Sequence, residues 1–282
     1  MTTDIDNLAQ PRPAGGVTQA TAVEQARAVA EVAAAVRVAR DFPRDIEQAR
    51  TRMRSACASP ALADRAFYSL PRAGGRVEGE TVHLARELAG CWGNIDYGIR
   101  ELRRDDTAGV SEMQAWAWDQ ETNTRSSRSF VVPHAIMVGK GVDKKRKALT
   151  DLGDIANNNN SVAARAVRET IFTVLPTPFV AEAVDICNAV LRGEHPNNQQ
   201  KPADAAEQII AGFADWGVSL PQLEAHVALP RAEWSPQTVA QLRVLGGEIK
   251  RGEKRVQDEF GAAEQSSARV TAEDIATRGG DS

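Results

Sequence analysis

Between residues 21 and 68 the apolar positions recur every three or four residues, the spacing of one face of a helix. "TAVEQARAVAEVAAAVRVARDF" predicts a first helix, with Thr21 and Glu24 as a capping box at its start. Pro43 interrupts it, "RDIEQARTRMRSACAS" predicts a second helix ending near Ser59 and Pro60, and residues 62–68 a short third. Pro71 and the pair Gly74 and Gly75 mark "YSLPRAGGRVEGE" as a turn or a small hairpin. Helical spacing returns in "GETVHLARELAGCW", where Val82, Ala85, Leu88 and Ala89 share a face. Gly93 and Asn94 close it, since both tolerate the left-handed conformation.

The period then changes from 3.6 to 2. Ile95, Tyr97 and Ile99 alternate with Asp96, Gly98 and Arg100, the pattern of a half-buried strand. In "GVSEMQAWAWDQ", Met113, Ala115 and Ala117 take one face and Glu112, Gln114, Trp116 and Trp118 the other. After the turn "ETN", "TRSSRSFVVPH" predicts a third strand, and three sequential strands with short turns form an antiparallel meander. A basic loop leads to "SVAARAVRETIFTVLP", a helix with Val162, Ala166, Val167, Ile171 and Val174 toward one side and Arg165 and Arg168 on another. Pro176 and Pro178 end it, and a further helix runs to Arg192. "AAEQIIAGFADWGV", "LPQLEAHV" and "SPQTVAQLRVLGGEIKRG" then predict a compact three-helix unit. The expected fold class is α+β: an antiparallel β-meander packed on helices, including a long helix after the meander, plus a small C-terminal helical unit. The expected divisions are a disordered arm over 1–20, a core over 21–192, a linker over 193–203, the small unit over 204–256 and a disordered tail over 257–282.

Composition narrows the function classes. No apolar run reaches the roughly 18 residues a membrane span needs, and the first 20 residues have neither the basic nor the apolar segment of a signal peptide. Cys57, Cys91 and Cys187 are odd in number and widely spaced, which fits packed thiols in a reducing cytoplasm. Net charge is −4, but residues 125–147 carry seven Lys/Arg against Asp143 alone. A locally basic body with an acidic C-terminal part suits a polyanion held at one place, and a solvated loop explains the charge equally well. Gly139-Lys140-Gly141 lacks the frame of a P-loop, His83, His134, His195 and His226 lack metal-ligand spacing, and there is no nucleophile elbow. No cofactor and no metal site is expected. Asp105, Asp106, Asp119 and Glu121 leave a metal-dependent nuclease open as an alternative. An adaptor protein without DNA binding is another.

The segments "YSLPRAGGRVEGETVHLARELAGCWGNIDYGIREL", "AWAWDQETNTRSSRSF" and "ARAVRETIFTVLP" resemble, in their order, phage single-strand DNA annealing proteins of the RecT/Redβ/Erf kind. The matching positions are Gly74, Gly75, Gly79, Leu84, Ala85, Trp92, Gly93, Asn94 and Gly98, while Thr81 and His83 stand where a serine and an arginine are usual. The resemblance spans roughly residues 22–255, about four-fifths of the chain. It implies a non-enzymatic, ATP-independent protein of the bacterial host cytoplasm that binds single-stranded DNA and anneals complementary strands in phage homologous recombination. It further implies a homo-oligomeric ring or helical filament holding single strands and the annealed duplex. Its implied partners are a host single-strand-binding protein, docked on the small helical unit, and a phage exonuclease. Annealing asks for cations on phosphates with base edges left free. The candidates are Lys140, Lys144, Lys145, Arg146 and Lys147, then Arg165 and Arg168 on the helix after the meander. Arg125 and Arg128 follow on the third strand, where a spacing of three puts them on opposite faces. Arg72 and Arg76 flank the glycine pair, and Trp116 and Trp118 are candidates for base stacking.

Overall fold

In a computed structural model of the protein, residues 19–72, 75–138 and 145–260 are described, without the side chains of residues 19, 20, 69–72, 75 and 76. The helices are α1 (Gln19–Asp41), α2 (Ile46–Cys57), α3 (Pro60–Ala66), α4 (Val82–Trp92), α5 (Leu152–Val174), α6 (Thr177–Leu191), α7 (Pro202–Ala214), α8 (Leu220–Val227), α9 (Pro236–Lys250) and α10 (Val256–Phe260). The strands are β1 (Phe67–Arg72), β2 (Gly75–Glu80), β3 (Ile95–Asp105), β4 (Val110–Asp119), β5 (Thr124–Pro133), β6 (Ala135–Val138) and β7 (Lys145–Ala148). Mixed α+β architecture with an antiparallel meander, a long helix after it and C-terminal helices is what the periodicities predict.

The chain divides into two compact units, 1–62 with 80–187, and 63–79 with 188–282. Residues 63–79, placed by the sequence reading within a 21–192 core, group with the C-terminal helices. The expected 1–20 arm and 257–282 tail fall mostly outside the described residues.

The first unit is built on the sheet β3-β4-β5, both pairs antiparallel. Along β4, Ser111, Met113, Ala115, Ala117 and Asp119 are buried on one face, and α5 lies against that face. The alanines keep the layer thin, so Ala163 and Val167 of α5 reach full burial there. Leu84, Leu88, Met53, Ile171 and Phe179 complete the apolar interior from α4, α2, α5 and α6.

The structure departs from the sequence reading in several places. Helix α1 starts two residues before Thr21, so Thr21 is not its N-cap. The basic loop contains a hairpin, with Ile136 opposite Lys147 and Met137 opposite Arg146. Helix α5 also begins nine residues earlier than the apolar spacing marks, at Leu152 rather than at residue 161. Asp151 caps it by accepting from the Gly153 and Asp154 amides at 2.8 and 3.0 Å. The asparagine run stays helical because its side chains are used: Asn158 donates to the Pro133 carbonyl at 3.0 Å, and Asn159 is buried with its amide 3.5 Å from Glu101. Asparagine otherwise prefers turns, where its side chain competes for backbone partners.

One buried ion pair ties the N-terminal helices to the sheet. Arg44, in the connection between α1 and α2, donates both terminal nitrogens to Asp119 at the end of β4, one at 2.8 Å. Both side chains are nearly sealed from water, at 6% and 3% exposure. The guanidinium lies 4.8 Å from the centroid of Trp92, which packs on Phe179 with ring centroids 4.8 Å apart. Asn94, left-handed at φ 54°, donates to the Phe42 carbonyl at 3.1 Å and to Glu121 at 3.0 Å. Burial raises the Asp119 carboxyl, but the Arg44 hydrogen bonds and charge, with the Thr122 and Glu121 amides, outweigh it and hold the group below its usual range.

The second unit packs Phe213, Val218, Leu223, Trp234, Leu242 and Leu245 of the C-terminal helices into one core. The β1-β2 hairpin joins it through β1 and α9, and Arg243 of α9 binds Asp64 at 2.5 Å. Gly79 lets the Tyr68 ring lie across the hairpin, since a Cβ there would come within 2.8 Å of the Tyr68 hydroxyl. Cys57, Cys91 and Cys187 are free and buried, as packed thiols.

Replacing Arg44 by Met strands the Asp119 carboxylate in the interior, and the expected loss is about 3–5 kcal/mol in urea unfolding. Because the folded carboxyl titrates below the ordinary aspartate value of 3.8, its contribution is complete above that pH and disappears as pH falls through the folded value. Wild-type stability should therefore drop below about pH 4. Asp119→Asn should remove that part of the acid slope.

Candidate nucleic-acid interface

Strand β5 is the outer strand of the sheet, and α5 passes beside it. Between them runs an open groove of about 510 Å³ lined by Arg128, Ser129, Phe130, Val131, Val162, Arg165, Ala166 and Glu169. Pleating puts Arg128, which pairs with Ala115 in register, on the α5 side of β5. Arg165 meets it from the helix. Both arginines are exposed, and among the described residues neither has a carboxylate within ion-pair distance. Phe130 and Val162 give the groove an apolar floor beside its cations.

The hairpin β6-β7 leaves from the end of β5 and returns at the start of α5, so by connectivity it stands where the two elements of the groove begin to run together. Lys145, Arg146 and Lys147 on β7 are exposed, opposite Val138, Met137 and Ile136 of β6, which are exposed too. Lys140 and Lys144 lie outside the described residues, as do the side chains of Arg72 and Arg76.

Two other candidate cations are placed differently. Arg125 is in register with Trp118 and faces the opposite side of the sheet, its guanidinium 5.9 Å from that indole. The opposite-face expectation for Arg125 and Arg128 is met. Arg168 is engaged in holding the fold: it donates to the Glu80 carbonyl at 3.0 Å and to Glu169 at 2.5 Å, with its side chain 14% exposed. Its donors are taken up by the Glu80 carbonyl ahead of α4 and by Glu169 on α5 itself, which sets it apart from the open cations of the groove.

The two tryptophans part company. Trp118 is 8% exposed and donates to Asn123 at 3.0 Å, so it is a packing residue and offers no free stacking face. Trp116 is half-buried. Its ring crosses to β3 over Gly98, where a Cβ would lie 2.7 Å from it, and its nitrogen donates to Asp96 at 2.8 Å. Arg100 sits 5.5 Å from the same ring and donates to Gln114 at 2.9 and 2.6 Å. The result is a flat indole fixed on the sheet face away from α5.

The carboxylates considered for metal binding do not meet. Asp119 opposes Ile95 at one end of β3-β4, and Asp105 opposes Val110 at the other, about 30 Å away at the rise of a strand. Asp119 and Glu121 are held by Arg44, while Asp105 caps the Ala108 amide at 2.8 Å and Asp106 pairs with Arg104 at 3.0 Å. No cluster of three or more His, Cys, Asp or Glu side chains fit to hold a metal ion occurs among the described residues.

A contact that sequence spacing does not reveal joins Ser111 to His134 Nε2 at 2.8 Å, with Asp106 3.9 Å from Nδ1. The order resembles a hydrolytic triad, but Ser111 is fully buried, so its hydroxyl meets no substrate. Its role is structural: the His134 amide donates to Gly109, and its carbonyl accepts from Leu149, joining the β3-β4 turn to the base of the β6-β7 hairpin.

Thr81, one of the two departures from the resembling pattern, caps α4 through the Leu84 amide at 3.4 Å, a task serine and threonine share. His83, the other, is exposed on α4. Searches against protein-family models, curated proteins and solved structures find no match to this chain. No single helix among the described residues is long and apolar enough to cross a membrane.

Gly98→Ala pushes a methyl group into the Trp116 ring, and a loss of roughly 1–3 kcal/mol is expected in denaturant unfolding. Arg168→Ala should lower stability by about 1.5–3 kcal/mol, the range for hydrogen bonds made by a charged group. Arg165→Ala, with nothing to release, should leave the unfolding midpoint in place.

Proposed function

We propose that the protein binds single-stranded DNA and anneals complementary strands without ATP, as a homo-oligomer. The observation that carries this reading is the unpaired pair Arg128 and Arg165 across an apolar-floored groove, with the exposed cations Lys145, Arg146 and Lys147 on the adjoining hairpin. Other arginines of the same unit, such as Arg44, Arg54, Arg103, Arg104 and Arg168, are held by carboxylates. Cations left unpaired along a groove suit phosphates, and among the described residues no Asn or Gln side chain lines it to read base edges. The resemblance to the annealing proteins supports the same reading through the order of its motifs.

A few arginines and lysines per protomer hold a strand weakly. Repeating the groove along an oligomer multiplies the contacts along one strand, so modest sites add up to firm attachment. Phosphates are gripped while base edges stay free for a second strand, which is the physical requirement of annealing. Binding by counterion release falls with salt at about 0.7 in log-log slope for each phosphate contacted on a single strand.

The test mixes two complementary oligonucleotides with protein in the absence of ATP and follows duplex formation by fluorescence quenching. Annealing faster than without protein is expected. Arg128→Gln combined with Arg165→Gln should weaken single-strand binding and lower the salt slope by about 1.4, two contacts' worth. Unchanged affinity and slope in a folded double variant would remove the groove from the DNA path. An annealing rate equal to the protein-free control would end the proposal.

A further inference from the structure

On the face of the sheet turned away from α5, Trp116 of β4 stands between Gly98 of β3 and Ser127 of β5, its partners in register. The glycine lets the indole lie down. Its Cζ2, Cη2 and Cε2 atoms are 2.7, 2.8 and 3.4 Å from where a Cβ of Gly98 would stand, an approach to the face of the six-membered ring and not to its edge. The other face of that ring is turned away from the sheet, and Trp116 keeps part of its surface open to solvent. The indole nitrogen is tied to Asp96 at 2.8 Å, so the ring is held in place before anything binds. The Arg100 guanidinium is 5.5 Å from the ring centroid, farther than the roughly 3.5–4.0 Å of carbon atoms in contact. It borders the outer face without closing it. Asp96, Arg100, Arg125, Ser127 and Ser129 around the ring are all exposed. Among the described residues, neither Arg100 nor Arg125 has a carboxylate within ion-pair distance.

We propose that Trp116 is a stacking platform for an unpaired base of the same DNA strand whose phosphates lie in the groove. This rests on the function proposed above and deepens it, adding a base contact to the phosphate contacts. Three observations select a nucleobase as the occupant. An oriented ring whose nitrogen is already bonded offers its partner a flat π-face and no donor, and an aromatic on an open antiparallel face is a general means of stacking unpaired bases. The two open arginines outnumber Asp96, the one carboxylate beside the ring, so the surroundings suit a polyanion. The groove also opens onto this face. Ser129 lines the groove, yet it stands on the Trp116 side of β5, in register with Gln114, whose amide nitrogen is 3.5 Å from its hydroxyl. Neighbouring strands are about 4.8 Å apart, so DNA rounding the edge of β5 meets the indole on the very next strand. Stacking engages the face of a base and leaves its pairing edge free, so the contact does not compete with annealing.

The experiment uses the full chain and measures equilibrium binding to oligothymidylate and to an abasic strand of equal length. The wild type should bind the abasic strand more weakly. Trp116→Ala should weaken oligothymidylate binding by roughly 5- to 150-fold, the range for one stacked base, and remove most of the difference between the two strands. Its salt slope should match that of the wild type, because no phosphate contact is lost. Trp116→Phe, which keeps a ring, should recover most of the affinity. Oligothymidylate carrying 5-iodouracil should cross-link to the wild-type peptide that contains Trp116, a readout that needs no variant to fold. Wild-type affinity in a folded Trp116→Ala protein would overturn the proposal. So would an equal loss on both strands, or cross-links confined to other peptides. Loss of affinity and slope in the Arg128 and Arg165 double variant, beside an unaffected Trp116→Ala, rejects the platform alone. A base-dependent loss in Trp116→Ala without accelerated annealing by the wild type rejects the annealing function alone. A wild type that binds neither strand ends both.

Discussion

The buried pairing of Arg44 with Asp119 is the constraint on which the first unit depends. An aspartate at 3% exposure is costly unless its charge is met, and Arg44 meets it with two donors while the Glu121 amide supplies another at 3.0 Å. The same arginine lies against Trp92, and its backbone amide donates to Glu121 at 3.0 Å. The carbonyl of Asn94 accepts from the Gln120 amide at 3.0 Å, so the α1-α2 connection, the end of α4 and the β4-β5 turn close on one knot. Burying an ion pair adds little net stability compared with apolar packing. What it adds here is registration, because the turn following β4 must stand at one place for both oxygens to be met.

That knot changes what the motif residues mean. Trp92, Gly93 and Asn94 are among the residues on which the resemblance drawn from the sequence rests, yet none of them lines the groove. Gly93 adopts φ 79° at the end of α4, Trp92 supports the arginine, and Asn94 closes the corner. Gly98 and Gly79 make room for aromatic rings on neighbouring strands. In this chain those residues serve the fold, and the cations proposed to hold DNA lie on β5, α5 and the β6-β7 hairpin instead.

Strong periodicity made most elements legible. The three strands of the meander follow a period of two that the pleat imposes, and the face assignment of Met113, Ala115 and Ala117 holds because a one-residue slip would bury Glu112 and Gln114. The C-terminal helices follow from apolar residues at helical spacing. What escaped depends on partners distant in sequence. Asn158 and Asn159 are helical through contacts to Pro133 and Glu101, and Arg168 is committed by Glu80. The groove itself was half visible: alternation separates Arg128 from Arg125, but only the packing of α5 brings Arg165 opposite it.

The assignment of residues 63–79 to the C-terminal unit bears on how the chain can be cut. The polypeptide enters that unit, leaves it at Glu80 and returns at Asn188. Removing everything after residue 187 deletes α9 with its Arg243 but retains Asp64, whose carboxyl burial already holds above its usual range despite that cation. It also strips β1 and Tyr68 of the helix beneath them. Such a fragment is a body with an orphaned hairpin and a carboxylate missing its counter-ion. A clean separation of the two units requires excising the 63–79 segment as well, or joining it to residues 188–260 through a new connection.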